Sequence, residues 1–185
     1  KQKTAYEITY GDWSSDVCSS DLLRSDNLTN EQAASNKGLV LHVLLVEDNP
    51  ADARLVEMVL QQLTTTRFQV HWVDRLQSAF DKLADTNFDV VLLDLNLPDA
   101  WGLETFTQMH QRAPNIAVIV MSGLGDETVA LKALQGGAQD YLVKGDIPSG
   151  MLARSIRYAI ERKQIEITLQ QERQLFSTLM ESLPH

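Results

Sequence analysis

Asp89-Val-Val-Leu-Leu-Asp94 decides the fold of this chain, because this short apolar run ends in a carboxylate. Its continuous hydrophobicity is typical of a central strand buried on both faces of a parallel sheet. Three other apolar runs end in polar groups in the same way: residues 41–46 before Glu47-Asp48, residues 116–121 before Ser122, and residues 141–143 before Lys144. In an open parallel α/β sheet, ligands bind outside the carboxyl ends of the strands. We therefore expect three carboxylates, one hydroxyl and one amine to meet at one edge of the sheet.

The bulk composition indicates a globular protein with room for one domain and some additional chain. The sequence has 185 residues, of which 44% are hydrophobic and 22% are charged. Its formal net charge of −9 argues against non-specific nucleic-acid binding, which depends on Lys and Arg contacts with phosphates. No apolar run approaches the roughly 20 residues that span a bilayer, so we expect no membrane and no direct nucleic-acid partner. Cys18 is the single cysteine, which excludes an intrachain disulfide.

The N-terminal segment has the pattern of an assembly artefact. Residues 12–22, Asp-Trp-Ser-Ser-Asp-Val-Cys-Ser-Ser-Asp-Leu, back-translate into a common short-read sequencing adapter. We therefore predict that residues 1–22 are an artefact without stable structure, and we exclude them from the fold assignment. A disordered leader rich in Ser and Asp is the alternative interpretation. Residues 23–38 are polar and lack an apolar period, which predicts a linker.

Strand and helix patterns alternate from residue 39 onward, and five such β/α units are typical of a doubly wound parallel sheet with helices on both faces. The segment between residues 97 and 102 is predicted to be a loop. We predict one compact domain over residues 39–162. Its strands are expected at residues 41–46, 68–73, 90–93, 116–121 and 139–143, and its helices at residues 51–63, 76–83, 103–112, 127–134 and from Pro148 onward.

The last helix has no stop signal before Pro184, so it extends well past the domain. Its apolar residues alternate at spacings of about three and four, with Glu172 as a polar break: Ile165, Leu169, Phe176, Leu179 and Leu183. This spacing predicts a short coiled-coil seam. We therefore interpret residues 163–185 as a coiled-coil-like linker helix. Its seam is expected to pack in a homodimer or to lead into another domain.

The polar groups at the sheet edge suit phosphoryl chemistry. Three close carboxylates disfavour joint ionisation, and a hard cation such as Mg²⁺ relieves that conflict. An aspartate such as Asp94 can attack phosphorus and form an aspartyl-phosphate, while Lys144 and the Ser122 hydroxyl stabilise the transferring group. Each residue also has a plain structural interpretation, as a turn residue, a helix cap or a solvated charge. The joint pattern, with each group at the end of its own strand, favours the chemical interpretation.

Residues 41–162 resemble a response-regulator receiver domain of two-component signalling. The motifs that carry the resemblance are Val46-Glu-Asp-Asn-Pro50, Val90-Val-Leu-Leu-Asp-Leu-Asn-Leu-Pro98, Val120-Met-Ser-Gly123 and Gly137-Ala-Gln-Asp-Tyr-Leu-Val-Lys144. The resemblance implies a flavodoxin-like sheet in the order 2-1-3-4-5, a cytoplasmic location and a switch in phosphorelay signalling. It also implies a chain that catalyses only its own phosphorylation and dephosphorylation and is otherwise not an enzyme.

The resemblance further assigns roles to single residues. Asp94 would accept the phosphoryl group from a sensor histidine kinase or a phosphotransfer protein. Ser122 and Lys144 would contact the phosphoryl oxygens, and Tyr141 would rotate inward as Ser122 moves, which changes the face made by helix four, strand five and helix five. Mg²⁺ would be held by Glu47, Asp48, Asp94 and the backbone carbonyl of Asn96.

The sequence departs from the family pattern after the lysine. The family usually places a cis proline there, whereas this chain has Gly145. Because a non-proline cis bond costs about 2.5–4 kcal/mol, we expect a trans or looser loop around Lys144. Glu47 stands where the family more often has aspartate, which lengthens one carboxylate arm.

The tail resembles the lead-in to a PAS sensory domain over Glu172 to Pro184, so we expect a downstream domain that is missing from this sequence. Three other functions were weighed. A receiver-like module that signals by dimerisation without phosphate is one. An aspartate-dependent phosphatase of the haloacid-dehalogenase type is another, but those enzymes carry Asp-x-Asp on the first strand, whereas Asp94-Leu-Asn96 lies on the third. Flavin binding is disfavoured because the strand-end loops lack a Ser-, Thr- and Gly-rich phosphate cradle.

Overall fold

A computed structural model describes residues 40–63, 66–123, 127–145 and 148–181 of the chain. The predicted artefact at 1–22, the predicted linker at 23–38 and the seam residue Leu183 lie outside the described residues. Seven strands lie along the described chain in this order: β1 Val40–Val46, β2 Arg67–Val73, β3 Val90–Asp94, β4 Asn96–Leu97, β5 Ala100–Trp101, β6 Ala117–Ser122 and β7 Asp140–Val143.

Five of these strands form a parallel sheet in the order β2-β1-β3-β6-β7. When the two-residue strands β4 and β5 are set aside, this is the predicted order 2-1-3-4-5, so the fold prediction is confirmed. Strand β3 is central and all five of its residues are buried, as its uninterrupted apolar sequence predicts.

The predicted helices are present, with ends that lie within two residues of the prediction: α1 Pro50–Gln61, α2 Leu76–Asp85, α3 Leu103–Arg112, α4 Glu127–Gln135 and α5 Ser149–Glu181. Helix α1 begins where its sequence indicates. Asn49 accepts a 3.0 Å hydrogen bond from the backbone amide of Ala51, and Pro50 occupies the first turn, where its missing N–H costs nothing.

One segment differs from the loop that was predicted between residues 97 and 102. Strands β4 and β5 pair antiparallel as a small hairpin directly after the central strand, with Asn96 opposite Trp101 and Leu97 opposite Ala100. The sequence gives little sign of this pairing because two-residue strands are too short to show an alternating pattern. The hairpin matters for function because it follows Asp94 at the carboxyl edge.

Helices cover both faces of the sheet, as a doubly wound fold requires. On one face, α2, α3 and α4 pack on a core that includes Leu44, Val91, Leu93, Phe106 and Val120. On the other face, α1 and α5 pack on a core that includes Val43, Leu45, Leu60, Leu92 and Ile156. The two cores hold the strands rigidly, so the groups at the carboxyl ends of the strands have fixed positions.

Helix α5 is the longest element and has two different parts. Its first turns bury Leu152, Ile156 and Ala159 against the sheet. After Lys163 the helix continues to Glu181 without a break, and most of its large apolar side chains are exposed there. None of the helices in the described ranges is both long and apolar enough to cross a membrane.

Candidate functional site

The predicted site residues come together at the carboxyl edge of the sheet. Glu47 and Asp48 follow the last residue of β1, and Asp94 is the last residue of β3. Ser122 is the last residue of β6, and Lys144 directly follows β7. Each strand therefore delivers its polar group to the same edge, as the sequence pattern predicts.

The ammonium group of Lys144 joins the two buried carboxylates. Its Nζ donates a 2.6 Å hydrogen bond to Oδ2 of Asp94 and a 2.8 Å hydrogen bond to Oε1 of Glu47. It also lies 2.6 Å from Oε2 of Glu47 as an ion pair, and 3.8 Å from Oδ2 of Asp52. These short, charge-assisted contacts place Lys144 over the carboxylate that is predicted to react.

Three carboxylates at this edge fit a divalent cation. One ligand oxygen each from Glu47, Asp48 and Asp94 lies within 4.8 Å of the other two. Glu47 is only 1% exposed and Asp94 is buried, whereas Asp48 faces solvent. Mg²⁺ prefers one or two carboxylates together with waters and phosphate oxygens, and an open acidic edge of this kind provides that set.

The environment shifts the pKa values of the ion pair. Burial raises the pKa of Glu47 above its ordinary value, and the negative charge of Asp94 adds to this, while Lys144 and the amide of Asn49 act in the opposite direction. Burial alone would lower the pKa of Lys144, but its hydrogen bonds to Asp94 and Glu47 and their charges raise it above its ordinary value. Lys144 therefore stays protonated at neutral pH.

The backbone that follows Asp94 is held by several hydrogen bonds. Oδ1 of Asp94 accepts a 3.2 Å hydrogen bond from the amide of Asn96. The carbonyl of Leu95 accepts a 2.7 Å bond from the amide of Gly102 and a 2.8 Å bond from the hydroxyl of Thr105. The carboxylate consequently has one oxygen bonded to its own turn and one facing Lys144.

The hydroxyl of Ser122 has no hydrogen-bond partner among the described residues. Its side chain is 1% exposed, and Oγ makes no hydrogen bond to any described residue. Its backbone carbonyl, by contrast, accepts a 2.8 Å bond from the amide of Lys144. A buried hydroxyl without a partner is uncommon in folded proteins and is therefore ready to bond an incoming group.

Tyr141 lies on the edge strand β7, which strand β6 separates from the strand that carries Asp94. It is opposite Val120 in the pairing of β6 with β7. Its side chain is half-buried and packs against the core beneath α3 and α4. It is thus neither fully enclosed nor free, which is the arrangement expected of a side chain that can change position.

The glycine that replaces the usual proline does not displace the lysine. The described part of the chain has no cis peptide bond, and Gly145 has a φ of 126°, a conformation that residues with a side chain rarely adopt. Lys144 nevertheless reaches both carboxylates at hydrogen-bond distance. The predicted trans loop is therefore confirmed, and it leaves Lys144 in contact with both carboxylates.

Two residues near the site were not identified from the sequence. Nε1 of Trp72 donates a 2.7 Å hydrogen bond to the backbone carbonyl of Glu47. The carboxylate of Asp99, at the tip of the β4–β5 hairpin, accepts bonds of 3.0 and 2.9 Å from the amides of Leu76 and Gln77. Neither contact has a local sequence signal, because the partners are far apart in the chain. Trp72 and Glu47 are 25 residues apart, and Asp99 is 23 residues from Leu76 and 22 from Gln77.

Known proteins resemble this chain over the sheet and its helices. A family model described as the response regulator receiver domain matches residues 43–157. The cell cycle transcriptional regulator CtrA of Caulobacter vibrioides is 32% identical over 114 residues, which are 62% of this chain and 48% of that protein. The transcriptional regulatory protein SrrA of Staphylococcus aureus is 29% identical over 132 residues, which are 70% of this chain and 52% of that protein.

A solved structure has the same fold. The crystal structure of a response regulator receiver domain protein from Clostridium thermocellum matches with a TM-score of 0.58 and 24% sequence identity. The match covers 68% of this chain and 98% of that chain, and at this identity it shows the fold alone. The chain spans about half the length of the curated relatives it matches.

Proposed function

The chain belongs to the family of response regulator receiver domains, and from that premise we propose that Asp94 accepts a phosphoryl group from a sensor histidine kinase or a phosphotransfer protein. The observation that carries this proposal is the ion pair between Lys144 and Asp94 at 2.6 Å, beside the acidic pair Glu47-Asp48. It brings a nucleophilic carboxylate, a cation and a metal-binding edge together where the strands end.

The transfer is a displacement at phosphorus. One oxygen of Asp94 forms the new P–O bond while the P–N bond to the donor imidazole breaks, and the leaving imidazole takes up a proton. Lys144 provides a positive charge next to Asp94, and the hydroxyl of Ser122 donates a hydrogen bond to a phosphoryl oxygen. The proposed role for Ser122 agrees with its buried Oγ, which has no partner in the described chain.

The acidic edge would hold Mg²⁺ through Glu47, Asp48, Asp94 and the backbone carbonyl of Asn96. Bound there, Mg²⁺ would offset the negative charge that the phosphoryl group adds to three carboxylates. The residues fit the ion because their ligand oxygens already lie within 4.8 Å of one another. Glu47 in place of the shorter aspartate is compatible with this edge, because its carboxylate is fixed by Lys144 and by the amide of Asn49 at 3.2 Å.

Phosphorylation would act through Tyr141. When Ser122 bonds the phosphoryl group, Tyr141 would rotate inward and change the face made by α4, β7 and the start of α5. The half-buried position of Tyr141 supports this proposal, because an inward position would bury more of the ring. The chain would thus be a cytoplasmic phosphorelay switch that catalyses no reaction apart from its own phosphorylation and dephosphorylation.

The C-terminal part of α5 would carry the output as a helical dimer. Beyond the domain, Leu169 is 49% exposed and Phe176 is 67% exposed, and Ile165 and Leu179 are exposed on the same side. Apolar residues at this spacing pack against a second helix in coiled coils. We propose that a second copy of the chain covers them, and we propose no direct contact with nucleic acid.

Intact-mass measurement of the full chain tests the phosphoacceptor. With Mg²⁺ and acetyl phosphate, the unaltered chain should gain one phosphoryl group, whereas Asp94→Asn should gain none. Omission of Mg²⁺ should also abolish the adduct. An adduct that persists in Asp94→Asn would move the reaction to another residue, and no adduct from acetyl phosphate or a phosphorylated kinase would favour a module that works without phosphate.

A further inference from the structure

Trp72 makes a side-chain hydrogen bond at the acidic edge. It is the second-last residue of β2, the strand at the edge of the sheet. Nε1 donates a 2.7 Å hydrogen bond to the backbone carbonyl of Glu47. Trp72 is 43% exposed, so part of its ring faces solvent while Nε1 is held at this edge.

The carbonyl that Trp72 bonds belongs to the peptide group that links Glu47 to Asp48. This peptide group is planar, so a fixed carbonyl oxygen also fixes the direction in which the chain leaves toward Asp48. On the other side of Glu47, its amide donates a 3.0 Å bond to the carbonyl of Val73. The two bonds to neighbouring residues of β2 therefore fix the backbone on both sides of Glu47.

Asp48 depends on this backbone more than Glu47 does. The carboxylate of Glu47 is held directly by Lys144 and by the amide of Asn49. The carboxylate of Asp48 faces solvent and makes no hydrogen bond or ion pair to the described residues, although it lies within 4.8 Å of the other two carboxylates. Its position is set by the peptide plane that Trp72 holds.

We infer that Trp72 is a positioning residue for Mg²⁺, which acts on the ion through the Glu47-Asp48 peptide and does not touch it. The inference rests on the proposed function of the acidic edge. Partners that orient metal ligands from outside typically change metal affinity by about 10–100-fold when they are removed. Since Trp72 orients one exposed ligand, we expect an effect at the lower end of that range.

The test is Trp72→Phe in the full chain, because phenylalanine keeps a smaller aromatic ring and lacks the N–H donor. Mg²⁺ binding is measured by calorimetry, and the initial rate of phosphorylation by acetyl phosphate is measured as a function of Mg²⁺ concentration. We expect the Mg²⁺ dissociation constant to rise about tenfold. The phosphorylation rate at saturating Mg²⁺ and the melting temperature should stay close to those of the unaltered chain.

Trp101→Phe is the matched control. Trp101 is 74% exposed, lies on β5 after the phosphoacceptor, and makes no side-chain hydrogen bond to the described residues. Its replacement should leave Mg²⁺ affinity unchanged. The comparison separates the loss of one hydrogen bond from the general effect of removing an indole at this end of the molecule.

The outcomes distinguish this inference from the proposed function. If the unaltered chain binds Mg²⁺ and Trp72→Phe binds it equally well, the inference is wrong and the proposed function stands. The inference is also contradicted if Trp72→Phe lowers both the Mg²⁺ affinity and the melting temperature. It is likewise contradicted if Trp101→Phe lowers the Mg²⁺ affinity to the same extent. Failure of the unaltered chain to bind Mg²⁺ would overturn the proposed metal site and the role of Trp72 together.

Discussion

Lys144 and Ser122 lie at the same edge of the sheet, but their side chains differ in how many hydrogen bonds they make. Lys144 is fully engaged, because its ammonium group already bonds Asp94 and Glu47 and offsets the repulsion between two buried carboxylates. The hydroxyl of Ser122 is buried nearby without any partner in the described chain. Lys144 therefore stabilises the resting protein, whereas the buried hydroxyl of Ser122 has no hydrogen bond to the described residues that would offset its desolvation.

From this difference we expect Ser122→Ala to lower the phosphorylation rate without lowering the free energy of unfolding. The change removes no hydrogen bond seen in the structure, so the free energy of unfolding should stay constant or rise by up to about 1 kcal/mol. The initial rate of phosphorylation by acetyl phosphate should fall at least tenfold, which corresponds to roughly 1.4 kcal/mol of lost transition-state stabilisation. Urea denaturation and time-resolved intact-mass measurement provide the two values.

Ser122→Thr is the control, because it keeps the hydroxyl, and it should retain most of the phosphorylation rate if the added methyl group is accommodated. A large loss of stability in Ser122→Ala would show that Oγ has a structural partner. An unchanged rate would show that the hydroxyl takes no part in the transfer.

At the scale of elements, the β4–β5 hairpin is tied to the start of α2. Arg75 stands at the N-cap of α2 and makes no capping hydrogen bond with its side chain. Asp99 replaces it from the hairpin, with bonds of 3.0 and 2.9 Å to the amides of Leu76 and Gln77. Desolvation acts against the ionised form, but these bonds prevail and lower the pKa of Asp99 below its ordinary value.

We expect Asp99→Asn to destabilise the protein by about 1 kcal/mol at neutral pH, because the amide keeps one acceptor oxygen but loses the second acceptor and the negative charge near the start of α2. Because the folded-state pKa of Asp99 is lowered, its contribution is fully present above its ordinary pKa of 3.8. That contribution is lost as the pH falls through the folded-state value. The difference in stability between Asp99→Asn and the unaltered chain should therefore narrow in acid, as measured by denaturation at several pH values.

Asp85→Asn is the matched control for this prediction. Asp85 is the last residue of α2, where a negative charge is unfavourable, so its neutralisation should cost no stability at neutral pH. A difference for Asp99→Asn that is independent of pH would mean that its carboxylate charge does not contribute to the cap.

At the scale of the molecule, α5 joins a packed domain to an exposed apolar stripe. Leu152, Ile156 and Ala159 face the sheet, and farther along the helix Ile165, Leu169, Phe176 and Leu179 are exposed. The polar contacts of Gln139 with Glu166 at 3.2 Å and of Arg162 with the Gln139 carbonyl at 3.0 Å lie where the helix leaves the domain. They hold the exit of α5 close to strand β7, which carries Tyr141.

Leu169→Glu should disrupt the proposed dimer. A charge at the centre of the apolar stripe would meet the same charge on the second copy, so the dimer dissociation constant should rise by at least about tenfold, or roughly 1.4 kcal/mol. Sedimentation equilibrium measures this directly. Gln170→Glu adds the same charge one residue along, outside the stripe, and should leave the dimer intact. A monomeric unaltered chain would contradict the proposal.

The sequence predicts the parts of this molecule that depend on local patterns. Apolar runs located the five principal strands, and the polar residue at the end of each run located Asp94, Ser122 and Lys144. The contacts of Trp72 and Asp99 were not predicted. Each joins segments that are distant in the sequence and come together only when the sheet folds. The trans loop at Gly145 was predicted from the sequence, but the hydrogen bonds that Lys144 keeps to both carboxylates could not be, because they depend on the folded geometry.

Helix α5 runs without interruption from Ser149 to Glu181, so the direction in which its apolar residues point depends on the number of residues between them. Each residue turns the helix by roughly 100°, so one residue inserted after Thr168 would swing Phe176 and Leu179 about a quarter-turn away from Ile165. Seven inserted residues would nearly restore the alignment, because two turns take about 7.2 residues. In this protein, the spacing between domain and stripe is therefore a matter of rotation as well as distance.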